Sequence, residues 1–124
     1  MISGFHHIQI SIPIGSETTA RNFYAGTLRL TEIEKPEYLR KNGGLWFEVG
    51  SLQLHLGCEN NKHRASTKAH VAYQVTDLAY WRNRLDEQGV AIAELVAIEG
   101  MDRFEVRDPF GNRIELLQIK KRAT

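Results

Sequence analysis

The most constraining feature of this chain is an internal repeat: the two halves of the sequence carry the same pattern of apolar and polar residues. The segments GFHHIQISIP and KAHVAYQVTD both alternate apolar and polar side chains with a period of two, as a strand with two unlike faces does. When these segments are aligned, His70 follows His7 by 63 residues. A length of 124 residues suits one compact domain. The repeat therefore predicts a single domain, 1–124, made of two similar modules at about residues 1–60 and 67–120.

Each predicted first strand is followed by a helical pattern. Apolar side chains three or four residues apart mark the two helices: Ala20, Phe23, Tyr24 and Leu28 in the first, and Leu78, Trp81 and Leu85 in the second. Ser16 and Asp77 are residue types favoured at helix N-caps, and Gly89 suits the end of the second helix. The spacing therefore predicts one helix directly after the first strand of each module.

Each helix then leads to a hairpin, LWFEVGSLQLHLG in the first module and RFEVRDPFGNRIELLQ in the second. Gly50 and Ser51 suit a two-residue turn, whereas the second copy has a longer Asp-Pro-Phe-Gly-Asn turn. Another strand in each module is less clearly marked, with residues 31–34 and 91–96 as candidates. The pattern predicts the α+β class, with paired β-α-β-β-β modules forming a cupped mixed sheet.

Composition narrows the classes of partner. A net charge of +1 provides no large field for nucleic acid or anionic membrane, and apolar runs fall short of the roughly 20 residues of a membrane-spanning helix. The chain opens on strand-like sequence and not on an export signal, and its single cysteine, Cys58, cannot form an intramolecular disulfide. We therefore expect a cytoplasmic protein that binds a small molecule, with no nucleic acid or membrane partner.

Metal-binding side chains collect on one face of the predicted strands. Period-two alternation places four of them on the polar face: His7, His55, His70 and Glu115. Imidazole and carboxylate suit zinc, iron, nickel, cobalt or manganese, so the set predicts a divalent metal site. A single histidine in a strand is more often a surface or hydrogen-bonded residue, and the repeat of the pattern is what favours ligands. We expect His6, on the opposite face, His63, in a polar loop, and Cys58, a packing residue, not to bind metal.

Two further charged residues share this face. A two-residue turn places Trp46 opposite His55, and the repeat adds Arg103 and Glu105. Glu105 is the candidate general base, and Arg103 is a candidate for pairing with an anionic substrate group. An internal Arg103–Glu105 ion pair is the equally favoured alternative.

The segments HHIQISIP, ARNFY, KAHVAYQV and DPFGNRIELLQ resemble the vicinal oxygen chelate superfamily, which includes glyoxalase I, fosfomycin resistance enzymes, extradiol dioxygenases and bleomycin-binding proteins. The resemblance covers nearly the whole chain. It implies paired β-α-β-β-β modules and a metal held by His7, His70 and Glu115. His55 stands where glyoxalase I enzymes carry a glutamate ligand, and we predict that it is a fourth ligand here.

The resemblance also implies a function. We expect a metal-dependent glyoxalase-like lyase, isomerase or transferase that acts on a small oxygenated metabolite or xenobiotic chelated to the metal. A non-haem iron extradiol dioxygenase is the first alternative, and a metal-free drug-binding dimer is the second. Members of this size commonly form homodimers in which module one of one chain faces module two of its partner. We therefore expect a homodimer, with a metal site that lies either within one chain or between the two subunits.

Overall fold

The computed structural model describes residues 1–120, and the chain divides into two compact units, Met1–Lys62 and His63–Thr124. The elements of the first unit are β1 (His7–Ile12), α1 (Glu17–Arg21), a π-helical segment (Asn22–Thr27), β2 (Thr31–Ile33), a 3-10 helix (Glu37–Asn42), β3 (Leu45–Val49) and β4 (Leu52–Cys58). Its four strands form one mixed sheet in the order β1-β4-β3-β2, in which β1 runs parallel to β4.

The second unit repeats this topology. Its elements are β5 (His70–Gln74), α2 (Leu78–Glu87), β6 (Ala93–Glu94), β7 (Met101–Arg107) and β8 (Arg113–Ile119). The strand order is β5-β8-β7-β6, with β5 parallel to β8 and the other pairs antiparallel. Two four-stranded mixed sheets with short helices confirm the predicted α+β class. The less clearly marked strands are present but short, at Thr31–Ile33 and Ala93–Glu94.

Apolar side chains of helix and sheet form the core of the first unit. The four residues predicted to mark the first helix, Ala20, Phe23, Tyr24 and Leu28, are all buried. Tyr24 packs its ring 6.0 Å from that of Phe47 on β3. Ser16 stands at the N-cap position of α1, but its hydroxyl donates to the carbonyl of Pro13 at 2.5 Å and makes no cap hydrogen bond. Helix burial, rather than capping, therefore holds this segment against the sheet.

In the second unit, the expected helix boundaries are present. The carboxylate of Asp77 accepts a hydrogen bond from the backbone N–H of Tyr80 at 3.1 Å, which caps α2. Gly89 has a φ of +74°, and the N–H of the next residue, Val90, donates to the carbonyl of Leu85 at 2.9 Å. Of the residues predicted to face the sheet, Leu78 and Leu85 are buried.

The two hairpins set the register of the strands. In the first, Val49 pairs with Leu52 across the predicted two-residue turn, so Trp46 lies opposite His55 as expected. In the second hairpin, the side chain of Asp108 is buried, with 4 % of the residue exposed, and its carboxylate organises the turn. It accepts three hydrogen bonds of 2.8 to 2.9 Å, one from the N–H of Phe110 and two from the N–H and the side-chain amide of Asn112.

Close backbone approach also constrains the first hairpin. Gly44 has a φ of +86°, and a Cβ atom there would lie 2.1 Å from the carbonyl oxygen of Leu56 on β4. Only glycine fits this position without displacing the strand. None of the helices within residues 1–120 combines the length and apolar character needed to cross a membrane.

Candidate functional site

In the first unit, three aromatic rings form a stack. His7 on β1 and His55 on β4 lie on neighbouring parallel strands and share a face, and their ring centroids are 4.2 Å apart with 15° between the planes. On β3, Trp46 stacks on His55 at 4.0 Å and 4°. The ring of His55 is therefore held between those of His7 and Trp46, and these three residues share one face of the sheet as predicted.

His55 is the buried member of this stack, with 6 % of its surface exposed. Its Nε2–H donates to the side-chain oxygen of Gln53 at 2.9 Å. Burial lowers the pKa of His55 to about 4, and the nearby charges of His7, His6 and Lys35 act in the same direction. The ring is therefore neutral at neutral pH, which is the form that binds a metal.

The stacking limits how the two histidines of this unit can share an ion. The lone pair of a ligating imidazole lies in the plane of its ring, and the ligand nitrogen sits about 2.0 to 2.1 Å from a zinc ion. Rings that are nearly parallel and 4.2 Å apart have planes that do not meet near the stack. His7 and His55 can therefore bind the same ion only after one ring rotates.

His6 was expected on the opposite face, away from this stack. The structure begins β1 at His7, so the alternation does not extend to His6. The ring of His6 lies at 90° to that of His7, with 5.2 Å between centroids, and the two Nδ1 atoms are 3.0 Å apart. Sequence periodicity missed this contact, and the adjacent His-His pair was the only signal for it.

In the second unit, His70 on β5 and Glu115 on β8 lie on neighbouring parallel strands and share a face, because Ala72 is the register partner of Glu115. The Nδ1–H of His70 donates to the backbone carbonyl of Lys68 at 2.9 Å. That bond places the proton on Nδ1 and leaves the lone pair on Nε2. Histidines that bind metals are held in the same way, through the nitrogen that does not face the ion.

Glu115 is buried and paired. It is 7 % exposed, and its Oε1 atom accepts a hydrogen bond from Nη1 of Arg103 at 2.5 Å. The guanidinium of Arg103 also donates twice to the carbonyl of Val96, from Nε at 3.2 Å and Nη2 at 2.8 Å. Arg103 is thus anchored to the backbone while it orients one carboxylate oxygen.

Glu105 lies directly opposite Glu115 in the register of β7 and β8. Its carboxylate is compensated by Arg113, with Nε 2.6 Å from Oε1, and by Arg107, with Nε 3.5 Å from Oε2. Each residue of the expected Arg103–Glu105 pair therefore has a different partner. The negative charges of Glu105 and Glu115 are adjacent on the sheet, and three arginines on the same face balance them: Arg103, Arg107 and Arg113.

Cys58 and His63, which we expected not to bind metal, lie in different surroundings. The thiol of Cys58 donates to Oε1 of Glu17 at 3.3 Å, and burial followed by this hydrogen bond raises the pKa of the thiol. His63 is exposed and lies in the loop before β5. Within residues 1–120, no three His, Cys, Asp or Glu side chains converge closely enough to hold a metal ion. The donor types of the predicted set fit a divalent ion, and the set itself stays a prediction.

Comparison with known proteins decides the family. Residues 4–116 match the model of the Glyoxalase/Bleomycin resistance protein/Dioxygenase superfamily. The chain belongs to this superfamily. Among solved structures, it is similar to a glyoxalase family protein from Bacillus anthracis, with 41 % identity, a TM-score of 0.90, and coverage of 97 % of this chain and 98 % of that one.

More distant structures share the fold of this superfamily member. The fosfomycin resistance protein FosX from Listeria monocytogenes has 21 % identity and a TM-score of 0.74, covering 95 % of this chain and 94 % of its own. An antibiotic-binding protein from a Streptomyces species has 22 % identity and a TM-score of 0.74, covering 96 % and 98 %. None of the curated proteins compared with the chain matches it. The fold of this chain is thus shared with a resistance protein and with an antibiotic-binding protein.

Proposed function

We propose that this superfamily member is a metal-dependent, glyoxalase-like enzyme, a lyase, isomerase or transferase, in which His7, His70 and Glu115 hold a divalent metal. The observation that supports it most directly is in the second unit. His70 has its Nδ1 committed to the carbonyl of Lys68, and a buried carboxylate, Glu115, lies on the neighbouring strand of the same face. An imidazole and a carboxylate on one face of neighbouring strands supply the donor types that a divalent ion takes.

The proposed substrate is a small oxygenated metabolite or xenobiotic. A metal ion bound here supplies Lewis-acid stabilisation of an oxyanion that develops on the substrate. His70 contributes the lone pair of Nε2, and Glu115 contributes the carboxylate oxygen that Arg103 does not take. Glu105 is our proposed general base, because its carboxylate lies opposite Glu115 on the same face of the sheet.

We propose Arg103 as the residue that attracts an anionic group of the substrate. Its three hydrogen bonds to Val96 and Glu115 use three of the five guanidinium N–H groups, and two remain for a further acceptor. A planar guanidinium pairs well with a carboxylate or phosphate.

Metal content is the direct test of the proposal. We expect protein purified without added metal or chelator to carry a divalent ion, and expect His7→Ala, His70→Ala and Glu115→Gln each to lose most of it. His63→Ala is the matched control, because it removes an exposed loop histidine. Full metal occupancy in the three ligand variants, measured by elemental analysis on folded protein, would refute the proposed site.

His55 is the fourth ligand in the set predicted from the sequence, and we keep it as a separate proposal. Its ring would have to rotate relative to that of His7, because the two planes are 15° apart. As a ligand, it should lie within about 2.2 Å of the ion, and His55→Ala should lower the affinity for nickel, cobalt and zinc. If His55→Ala alters turnover and leaves metal affinity unchanged, His55 packs beside the site and only three side chains hold the ion.

The assembly can be tested with the same variants. We propose a homodimer whose site draws His7 from one subunit and His70 and Glu115 from the other. Mixing unfolded His7→Ala and Glu115→Gln chains and refolding them should then restore roughly a quarter of the sites, because each mixed dimer regains one intact site. A site built within one chain would regain none. Analytical ultracentrifugation at micromolar concentration tests the dimer itself.

The iron-dependent dioxygenase remains the second candidate, because two histidines and one glutamate also form the ligand set of non-haem iron oxygenases. Iron as the bound metal, together with oxygen consumption in the presence of catechols, would favour it. A metal-free drug-binding dimer would show tight ligand binding that chelators leave unchanged. The single cysteine agrees with a reducing compartment, so we propose that the enzyme acts in the cytoplasm.

A further inference from the structure

We infer that His6 is a positioning residue for His7: it accepts a hydrogen bond from Nδ1–H of His7 and so turns Nε2 of His7 toward the metal. The inference rests on the proposed function, because it gives a role beside a proposed ligand. It assigns a task to a residue that the sequence pattern had placed on the other face of the strand.

The geometry of the pair supports a directed hydrogen bond. The two Nδ1 atoms are 3.0 Å apart, and the rings are perpendicular. Two neutral imidazole nitrogens can make such a bond only if one carries the proton and the other offers its lone pair. The backbone of His6 is also anchored, because its carbonyl accepts a hydrogen bond from the N–H of Gln53 on β4 at 3.1 Å.

The repeat supports Nδ1 as the nitrogen of His7 that carries the proton. In the second module, the equivalent histidine, His70, donates its Nδ1–H to the carbonyl of Lys68. The residue equivalent to His6 there is Ala69, which has no polar side chain. The same requirement is thus met by a backbone oxygen in one module and by the His6 ring in the other. In both modules, the lone pair of Nε2 is left for the ion.

The stacking of His7 on His55 limits the ring orientations among which the hydrogen bond to His6 must select. One face of the His7 ring lies against His55, at 4.2 Å between centroids, and this contact restricts the tilt of the His7 ring. The hydrogen bond to His6 then selects between the two orientations related by a flip of the ring. Loss of the His6 ring would leave His7 stacked, and its tautomer would no longer be fixed.

Three variants test the role of His6. His6→Ala removes the acceptor, His6→Asn keeps an acceptor oxygen near the position of Nδ1, and His63→Ala is the control for loss of an exposed histidine. We expect His6→Ala to lower the affinity for zinc or nickel by about 10- to 100-fold, the usual cost of losing a partner that orients a ligand. His6→Asn should restore most of that affinity, and His63→Ala should not change it. Circular dichroism confirms the fold of each variant.

A second measurement needs no metal. In protein labelled with 15N-histidine and kept in chelator at pH 8, long-range proton–nitrogen spectra report which nitrogen of His7 is protonated. We expect Nδ1–H in the wild type and in His6→Asn, and a shift toward Nε2–H in His6→Ala. Unchanged spectra in His6→Ala would overturn the inference.

The outcomes separate the inference from the proposed function. If His70→Ala and Glu115→Gln keep their metal, the proposed function fails, while the tautomer of His7 still decides the role of His6. If those variants lose metal and His6→Ala binds it as tightly as the wild type, His6 does not position His7. If His6→Asn loses as much affinity as His6→Ala, the 3.0 Å spacing is that of two ligands on one ion, and the positioning role is wrong.

Discussion

The pairing of Arg103 with Glu115 should contribute far more to folding than the pairing of Arg82 with Glu94 in the same unit. Both are arginine–glutamate pairs that link parts of one sheet or its helix. In the first, the side chains are 19 % and 9 % exposed, and in the second they are 42 % and 68 % exposed. Removing Arg103 leaves the negative charge of Glu115 in a buried place, whereas Glu94 remains in water.

The expected magnitudes follow from this difference in exposure. Breaking a fully buried ion pair by deleting one partner costs about 3–5 kcal/mol. Arg103 retains some contact with solvent, so we expect a coupling free energy of about 2–3 kcal/mol for its pair with Glu115. Exposed pairs measured in the same way give about 0.2–1 kcal/mol, which is our expectation for Arg82 and Glu94.

A double-mutant cycle on metal-free protein is the appropriate assay. Arg103→Met, Glu115→Gln and the double variant would be unfolded by urea in the presence of chelator, beside the matched set Arg82→Met and Glu94→Gln. The cycle is needed because each arginine has other contacts: Arg103 donates to a backbone carbonyl, and Arg82 lies 4.9 Å from the centre of the Phe104 ring. These single-residue contributions cancel in the coupling energy.

Equal coupling energies for the two pairs would refute the reasoning. They would mean that the burial of Glu115 does not make its charge dependent on Arg103. A coupling below about 1 kcal/mol for Arg103 and Glu115 would have the same meaning, because that is the range of solvent-exposed pairs. In either case, the guanidinium would be available for another acceptor without loss of stability.

Two further perturbations test the turn and the cysteine. Asp108→Ala removes three hydrogen bonds to a buried carboxylate and should lower the free energy of unfolding by about 3 kcal/mol, measured by urea titration, with a smaller loss in Asp108→Asn. A loss below about 0.5 kcal/mol, as at an ordinary surface position, would contradict this role. Because the pKa of Cys58 is raised, the fraction of reactive thiolate at pH 8 is low, so iodoacetamide should modify it slowly and Glu17→Gln should speed the reaction. A rate in the wild type as fast as that of a free thiol, or no acceleration in the variant, would contradict it.

Local signals in the sequence were enough to predict the repeat, the strand faces and the helix boundaries of the second unit. Period-two alternation depends only on backbone geometry, so His7 and His55 share a face as predicted. A two-residue turn fixes the register of its hairpin, and Trp46 therefore lies opposite His55. Asp77 caps α2 because the cap needs only the N–H three residues later.

Side-chain partners were decided by the tertiary structure. Periodicity places Arg103, Glu105 and Glu115 on one face, but it does not say which arginine pairs with which carboxylate. In the structure, Glu115 forms an ion pair with Arg103, and Glu105 forms one with Arg113. Neighbouring strands bring several charged side chains within reach of each other, and the side-chain rotamers decide which of them pair. Likewise, the Nδ1 contact between His6 and His7 depends on ring orientation at a strand end, where alternation no longer applies.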